Sequence, residues 1–357
     1  MSIKKFDFFL LIVVSLLTFF GLLMVYDISS FSAFKDFGDK YHYIKDQAVW
    51  ALLGFIALTF FTFFDYHRLY NLSLPLLFAA LLFLLLVFIP GFGVYIMGAR
   101  RWIDMRFFLF QPAEFVKLVL AIYLSAWFSQ KEKGRFFAFV LLMGLIFLLI
   151  ILQPDMGTAG IILFEALIVY FLSGGNLLHF GLLLPVVSFL GVLLIKIEPY
   201  RAKRLASFFS GGTVETSYHV KQILIALGMG GLTGVGLGNS LQKYAYLPES
   251  TTDSIFAIIA EEIGFLGASI LVFLFMLLVW RGFVIAMSAK DNFGKLLAGG
   301  IISFIGIQTI INLGAQTVMI PLTGVPLPFI SYGGSALVVD MCSIGILLNI
   351  SRQGYKI

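Results

Sequence analysis

The sequence is short of charge: only 12% of its 357 residues are Asp, Glu, Lys or Arg, and it holds ten prolines and one cysteine. So little charge excludes a water-soluble fold, because a soluble domain cannot hide a chain that is 60% hydrophobic. The lone Cys342 excludes an internal disulfide and leaves the redox compartment undetermined. Most polar separators are too short for a second soluble domain, and no internal repeat of the transporter kind is visible. No A-x-A cleavage pattern follows the first apolar stretch, which therefore reads as a retained helix.

What the chain has instead is long apolar runs, forty Phe, eleven Met and a mean hydropathy of +1.01. A bilayer core demands about 20 apolar residues per helix. On that measure ten spans are expected, at 8–26, 47–64, 71–90, 110–128, 136–153, 158–174, 178–196, 254–280, 296–319 and 334–350. The expectation is an all-α polytopic membrane protein, one domain over 1–357, with a single long outer loop at about 197–253 between helices 7 and 8.

With a cytoplasmic N-terminus, the inner segments hold Lys4, Lys5, Arg68, Lys131, Lys133, Arg135, Arg281, Lys290, Lys295, Arg352 and Lys356. Against them stand only Asp7, Asp65, Glu132 and Asp291, as the positive-inside tendency favours. The outer segments hold as many cations, so the count alone does not orient the chain. Gly98-Ala99-Arg100-Arg101-Trp102 and Tyr200-Arg201-Ala202-Lys203-Arg204 are dense basic clusters beside apolar segments. Guanidinium groups grip phosphate oxygens bidentately, so these clusters read either as sites for an anionic lipid-linked ligand or as interfacial anchors.

Polar residues near and inside the spans are the candidate functional groups. Glu114 and Lys117 lie three apart on one helical face, which suits an internal ion pair. Glu261 and Glu262 are adjacent and point about 100° apart, so at most one is expected in a site. Asp253, before an apolar run, reads either as a helix-start acid or as a carboxylate able to take a proton from a substrate hydroxyl. Gly234, Gly236 and Gly238 follow no strand, so they form no dinucleotide fingerprint. Glu165 and Asp340 read as helix-packing polar groups.

Seven separated segments, in order, carry a resemblance. They are Gly21–Ser29, Gly98–Ile103 (GARRWI), Gln111–Leu118 (QPAEFVKL), Gln153–Thr158 (QPDMGT), Tyr200–Phe208, the stretch 234–267 and Pro321–Ser335 (PLTGVPLPFISYGGS). Together they resemble the SEDS family of shape, elongation, division and sporulation proteins. The GARRW form and the uninterrupted NSLQKYAYLPE segment are more similar to its division branch than to its elongation branch.

The resemblance implies a peptidoglycan glycosyltransferase of the cytoplasmic membrane, both termini inside, polymerising lipid II on the outer leaflet during cell division. The family's essential aspartate falls on Asp253, in the frame Pro248-Glu249-x-x-Thr252-Asp253. Asp253 would be the general base on the acceptor hydroxyl. Lys117, Glu114, Arg100, Arg101, Arg201, Arg204, Lys243, Pro248, Glu249, Thr252, Asp155, Ser331 and Gly333 would contact substrate, the cations holding pyrophosphate oxygens. No cofactor is certain; a divalent cation, Mg2+ or Mn2+, could share that task, although no ligand cluster stands out. Expected partners are a class B penicillin-binding protein, other division or elongation proteins and membrane lipid, with no nucleic acid. The chain departs from the family at Tyr218-His219, where Tyr-Gln is usual, in the polar pattern of 222–231, and at Asp340. A lipid II flippase, an elongation-type polymerase and a non-catalytic scaffold are the rival readings. A flippase needs polar groups spanning the bilayer, whereas the charges here gather toward the outer half.

Overall fold

The computed structural model describes residues 6–96, 98–130, 134–209, 218–244 and 246–354. Of the inner cations, Lys4, Lys5, Lys131, Lys133 and Lys356 lie outside the described residues, as does the side chain of Arg201. All ten expected spans coincide with helices: α1 (Phe8–Phe37), α2 (His42–Phe63), α3 (His67–Leu86), α4 (Pro112–Phe128), α5 (Phe136–Ile151), α6 (Met156–Leu172), α7 (Leu177–Ile197), α10 (Ile255–Ser288), α11 (Asn292–Gln316) and α12 (Gly334–Gln353). Seven of these, all but α4, α5 and α6, are long and apolar enough to cross a membrane. Helix is the form such segments must take, since hydrocarbon offers backbone N–H and C=O groups no partner.

The start signals are ordinary ones. Asp7, Asp155, Asn176 and Asp291 cap α1, α6, α7 and α11 with their side chains, and Pro112 opens α4. α11 is the enclosed central helix, packed against α10, α6 and α4, while α12 packs along α2. Hydrogen bonds from Asn349 tie α12 to the end of α2 and the start of α3: its Nδ2 donates to the Thr62 carbonyl (2.8 Å) and its Oδ1 accepts from the Tyr66 N–H (3.1 Å).

Two parts differ from the sequence expectation. The expected outer loop contains two helices, α8 (Pro199–Phe209) and α9 (Tyr218–Gly230). α9 buries Val220, Ile223, Ala226 and Gly230, a helical spacing in a segment too short for hydropathy to register. The separator around GARRW forms a small antiparallel sheet, β1 (Gly93–Ile96), β2 (Ala99–Asp104) and β3 (Leu109–Phe110).

The glycines of the 230–238 stretch have a packing role. Gly264 (φ 67°) breaks α10 and frees the carbonyls of Glu261 and Glu262, which accept from Val235 (3.0 Å) and Gly236 (3.0 Å). A Cβ on Gly264 would sit 2.2 Å from the Gly234 nitrogen, so only glycine allows the two backbones to meet.

Candidate active site

Asp253 ends a turn whose backbone is held from three sides. Within it, the N–H groups of Thr252 and Ser254 donate to the Glu249 carbonyl (3.2 and 3.1 Å). From α11, Asn312 Nδ2 donates to the Asp253 carbonyl (2.9 Å) and to that of Val325 (2.8 Å). From the 321–333 segment, Ser331 Oγ donates to the Thr252 carbonyl (2.6 Å) and accepts from the Leu327 N–H (2.8 Å), and the Tyr332 N–H donates to Thr251 (2.9 Å). The backbone of the turn is thus braced, and Asp253 lines a cavity.

That cavity, of about 210 Å3, is lined by Asp253, Glu249, Arg204, His219, Asn312 and Gly324, among others. A Cβ built on Gly324 would lie 3.3 Å from Asp253 Oδ2 and 3.8 Å from an Arg204 guanidinium nitrogen, so both groups share one floor. Arg204 also donates to the Leu322 carbonyl (3.1 Å). Burial, above all, pushes the Asp253 carboxyl well above the ordinary carboxylate range; the hydrogen bond its protonated form donates to Glu249 and the like charge of Glu249 push the same way, and Arg204 opposes them. Burial likewise holds His219 below its ordinary value, favouring the neutral ring. Asp253 is not the cap of α10: that position is Ser254, which makes no capping bond and instead pairs with His219 Nε2 (2.7 Å).

A polar stripe on α11 runs inward from this cavity. Gln316, Asn312 and Gln308 are four residues apart, one turn each. Gln308 donates to the Pro326 carbonyl (3.0 Å) and accepts from Lys117, which pairs with Glu114 at 2.7 Å. Lys117 and Glu114 are both buried, as their spacing on α4 suggests. Glu165 and Asp340 are equally buried within electrostatic reach of Lys117. Their carboxyl oxygens make no hydrogen bond among the described residues.

The other named residues separate into groups. Asp155 caps α6 through the Thr158 N–H (3.1 Å) and lies close enough to Asp253 to act on its charge. Arg101 donates to the carbonyls of Gln153 (3.1 Å) and Pro154, bracing that cap, while Arg100 is exposed on β2. Thr252 is half-buried and Pro248 exposed; Ser331 is buried in the turn-bracing role above; Gly333 donates to Gln47 Oε1 (3.2 Å) at the start of α12. Lys243 is not at the cavity: it is 4% exposed and bonds both Asp27 oxygens (2.9 Å each) and Glu262 (3.1 Å). Burial works against its charge, but these carboxylates outweigh burial and raise its value. Contrary to the helical-wheel expectation, Glu261 and Glu262 serve one loop: Glu262 accepts from the Ser240 N–H (3.2 Å), and Glu261 from Ser240 Oγ and the Leu241 N–H (3.3 Å). The loop wraps around the opened turn at Gly264 and meets both.

A family profile described as "Cell cycle protein", covering FtsW, RodA and SpoVE, matches residues 7–356. The chain belongs to this family. It is 40% identical over 356 residues to stage V sporulation protein E of Bacillus subtilis, covering 97% of each chain. It is 36% identical to a probable peptidoglycan glycosyltransferase FtsW of Geobacter sp. (strain M18), covering 98% of each. Among solved structures it is similar to a chain of a peptidoglycan synthase complex that coordinates polymerization and crosslinking, with TM-score 0.79 and 27% identity over 97% of this chain and 98% of that one. Rod shape determining protein RodA of Thermus thermophilus matches with TM-score 0.72 and 26% identity over 98% of both chains. As an FtsW, RodA and SpoVE family member, the chain brings three of the resembling segments onto one spot: the 248–256 frame, Pro321–Ser335 and the start of QPDMGT. A Cβ on Gly157 would lie 2.4 Å from Val325 Cγ2 and 2.9 Å from the Thr323 carbonyl, so α6 presses directly on the cavity wall.

Sequence reasoning missed Asn312, Gln308, Gln316 and Asp27 as site or bracing residues. The first three carried a readable signal, amides at four-residue spacing in an apolar span. Among the described residues no three His, Cys, Asp or Glu side chains are arranged to hold a metal. Glu249 and Asp253, which share the cavity, are one side chain short of such a set.

Proposed function

We propose that this chain is a peptidoglycan glycosyltransferase of the division branch, polymerising lipid II at the end of the bundle where Asp253 sits. The observation that carries the reading is the Asp253 carboxyl on a small cavity shared with Arg204, held by backbone bonds from α11 and the 321–333 segment. Asp253 takes the proton of the acceptor sugar's 4-hydroxyl as that oxygen bonds the donor's anomeric carbon. The bond from that carbon to pyrophosphate breaks, the undecaprenyl pyrophosphate leaves, and the configuration inverts. Proton transfer is late, since a hydroxyl is a far weaker acid than the carboxyl that receives its proton. Arg204 offers charge to the leaving pyrophosphate or the developing oxyanion, and rigid support of Asp253 spares the transition state the cost of ordering it.

A class B penicillin-binding protein is the proposed partner. The similar chain in a synthase complex supports this, as does the exposed apolar surface of α7, none of whose described residues is buried. The outer face of the cytoplasmic membrane is the proposed location of the site.

The test is purified chain with a transpeptidase partner and lipid II, wild type against Asp253→Asn, read as glycan strands on a gel. Loss of polymer by about 100-fold or more is expected for a missing general base. Normal polymerisation by the variant overturns the assignment of the base. If neither protein makes polymer while lipid II crosses vesicles, the chain is a flippase.

A further inference from the structure

α11 connects two cavities. Its last turns border the Asp253 cavity, and its first turn borders another of about 710 Å3. From Lys295 to Asn312 along the helix is roughly 25 Å, so the second cavity lies at the opposite end of the bundle. Its polar lining includes Arg135, Lys295, His179, Gln130, Asn176 and Asn292, brought together from the α4–α5, α6–α7 and α10–α11 connections. Each of these side chains carries N–H groups, although Arg135 already donates to the Trp127 carbonyl, Gln130 to Tyr70 Oη, and His179 pairs with Tyr170, and no carboxylate lines the cavity among the described residues. The nearest acid in sequence, Asp291, is spent on Tyr66 Oη and the Gly294 N–H (2.9 Å). The rest of the wall is apolar, including Phe128, Phe136 and Leu296, and the His179 ring stacks on Phe136 at 3.8 Å.

A cavity whose described lining presents donors and cations, no acid and an apolar wall suits phosphate oxygens attached to an apolar body. Lys295 is exposed and makes no ion pair among the described residues, so its charge is available to a ligand. We infer that this cavity is a second anion site, binding a phosphate group at the end of the molecule away from Asp253. The source of that phosphate is a membrane lipid headgroup or a free phosphoryl compound; the chemistry of recognition is the same. The site is independent of the reaction assigned to Asp253.

The test uses the full chain in vesicles of phosphatidylcholine alone or with phosphatidylglycerol, with lipid retained on the purified protein counted by native mass spectrometry. A second arm titrates inorganic phosphate and follows thermal unfolding. Lys295→Glu is compared with Lys295→Arg and with Arg68→Gln, an exposed cation at the same end but outside the cavity. The expected result is retained phosphatidylglycerol that falls about tenfold in Lys295→Glu, the size of one charge-assisted hydrogen bond, and persists in the other two. If instead inorganic phosphate alone stabilises the protein in a Lys295-dependent way, the site stands and its ligand is soluble. Equal losses in Lys295→Glu and Arg68→Gln, or no dependence on Lys295 in either arm, overturn the site.

Discussion

At the scale of the residue, Asp253 is a carboxyl whose surroundings disfavour its charge, and Glu249 and Arg204 tune it in opposite directions. A carboxylate base acts only when ionised, so polymerisation should fall as pH drops through the raised Asp253 value. Glu249→Gln removes a hydrogen bond and a like charge that both raise it, so the acid limb of the pH–rate profile should move to lower pH. Arg204→Gln removes the opposing cation and should move the limb to higher pH. The same shift links to stability: a carboxyl raised by folding contributes fully below its unfolded value and loses that contribution as pH rises through the folded value. Thermal unfolding across pH should therefore show a decline for the wild type that Asp253→Asn lacks, and parallel curves would refute it.

At the scale of the element, two pieces hold the Asp253 turn in place. The first is the loop before it, anchored where Lys243 bridges Asp27 of α1 and Glu262 of α10. Lys243→Met leaves two carboxylates facing each other without a counterion and should cost about 3 kcal/mol of stability, measured by unfolding in detergent. The second is the pressure of α6 on the 321–325 segment. Gly157→Leu overpacks that contact and should cost about 2 kcal/mol while displacing the wall opposite Asp253. Its polymerase rate should drop more than that of a Gly144→Leu control, whose added Cβ meets nothing within 4 Å. Equal rates would mean the wall does not matter.

At the scale of the whole molecule, the connections at one end carry the Asp253 cavity and β1–β3, and those at the other carry the Lys295 cavity. In a Cys342→Ser background, Arg100→Cys should react from the outside of intact cells with a maleimide that cannot cross the membrane. Lys290→Cys should react only after permeabilisation. The reverse pattern would invert the proposed orientation and move the chemistry to the inner face.

The membrane class, the ten helical segments and the Glu114–Lys117 pair were legible in the sequence because hydropathy and i, i+3 spacing are local properties of the chain. Asp253 stood out only through resemblance, since its local setting fits a helix start equally well. Tertiary structure alone decided which charges meet. Lys243 looked like its neighbours among the outer cations, yet its partners lie 216 residues away on α1 and 19 away on α10. Asn312 became the brace of Asp253 from 59 residues away, and Glu261 and Glu262 came to share a loop because Gly264 opens their helix. These are contacts between separately formed helices, set by how the helices pack, and no periodicity within one helix encodes them.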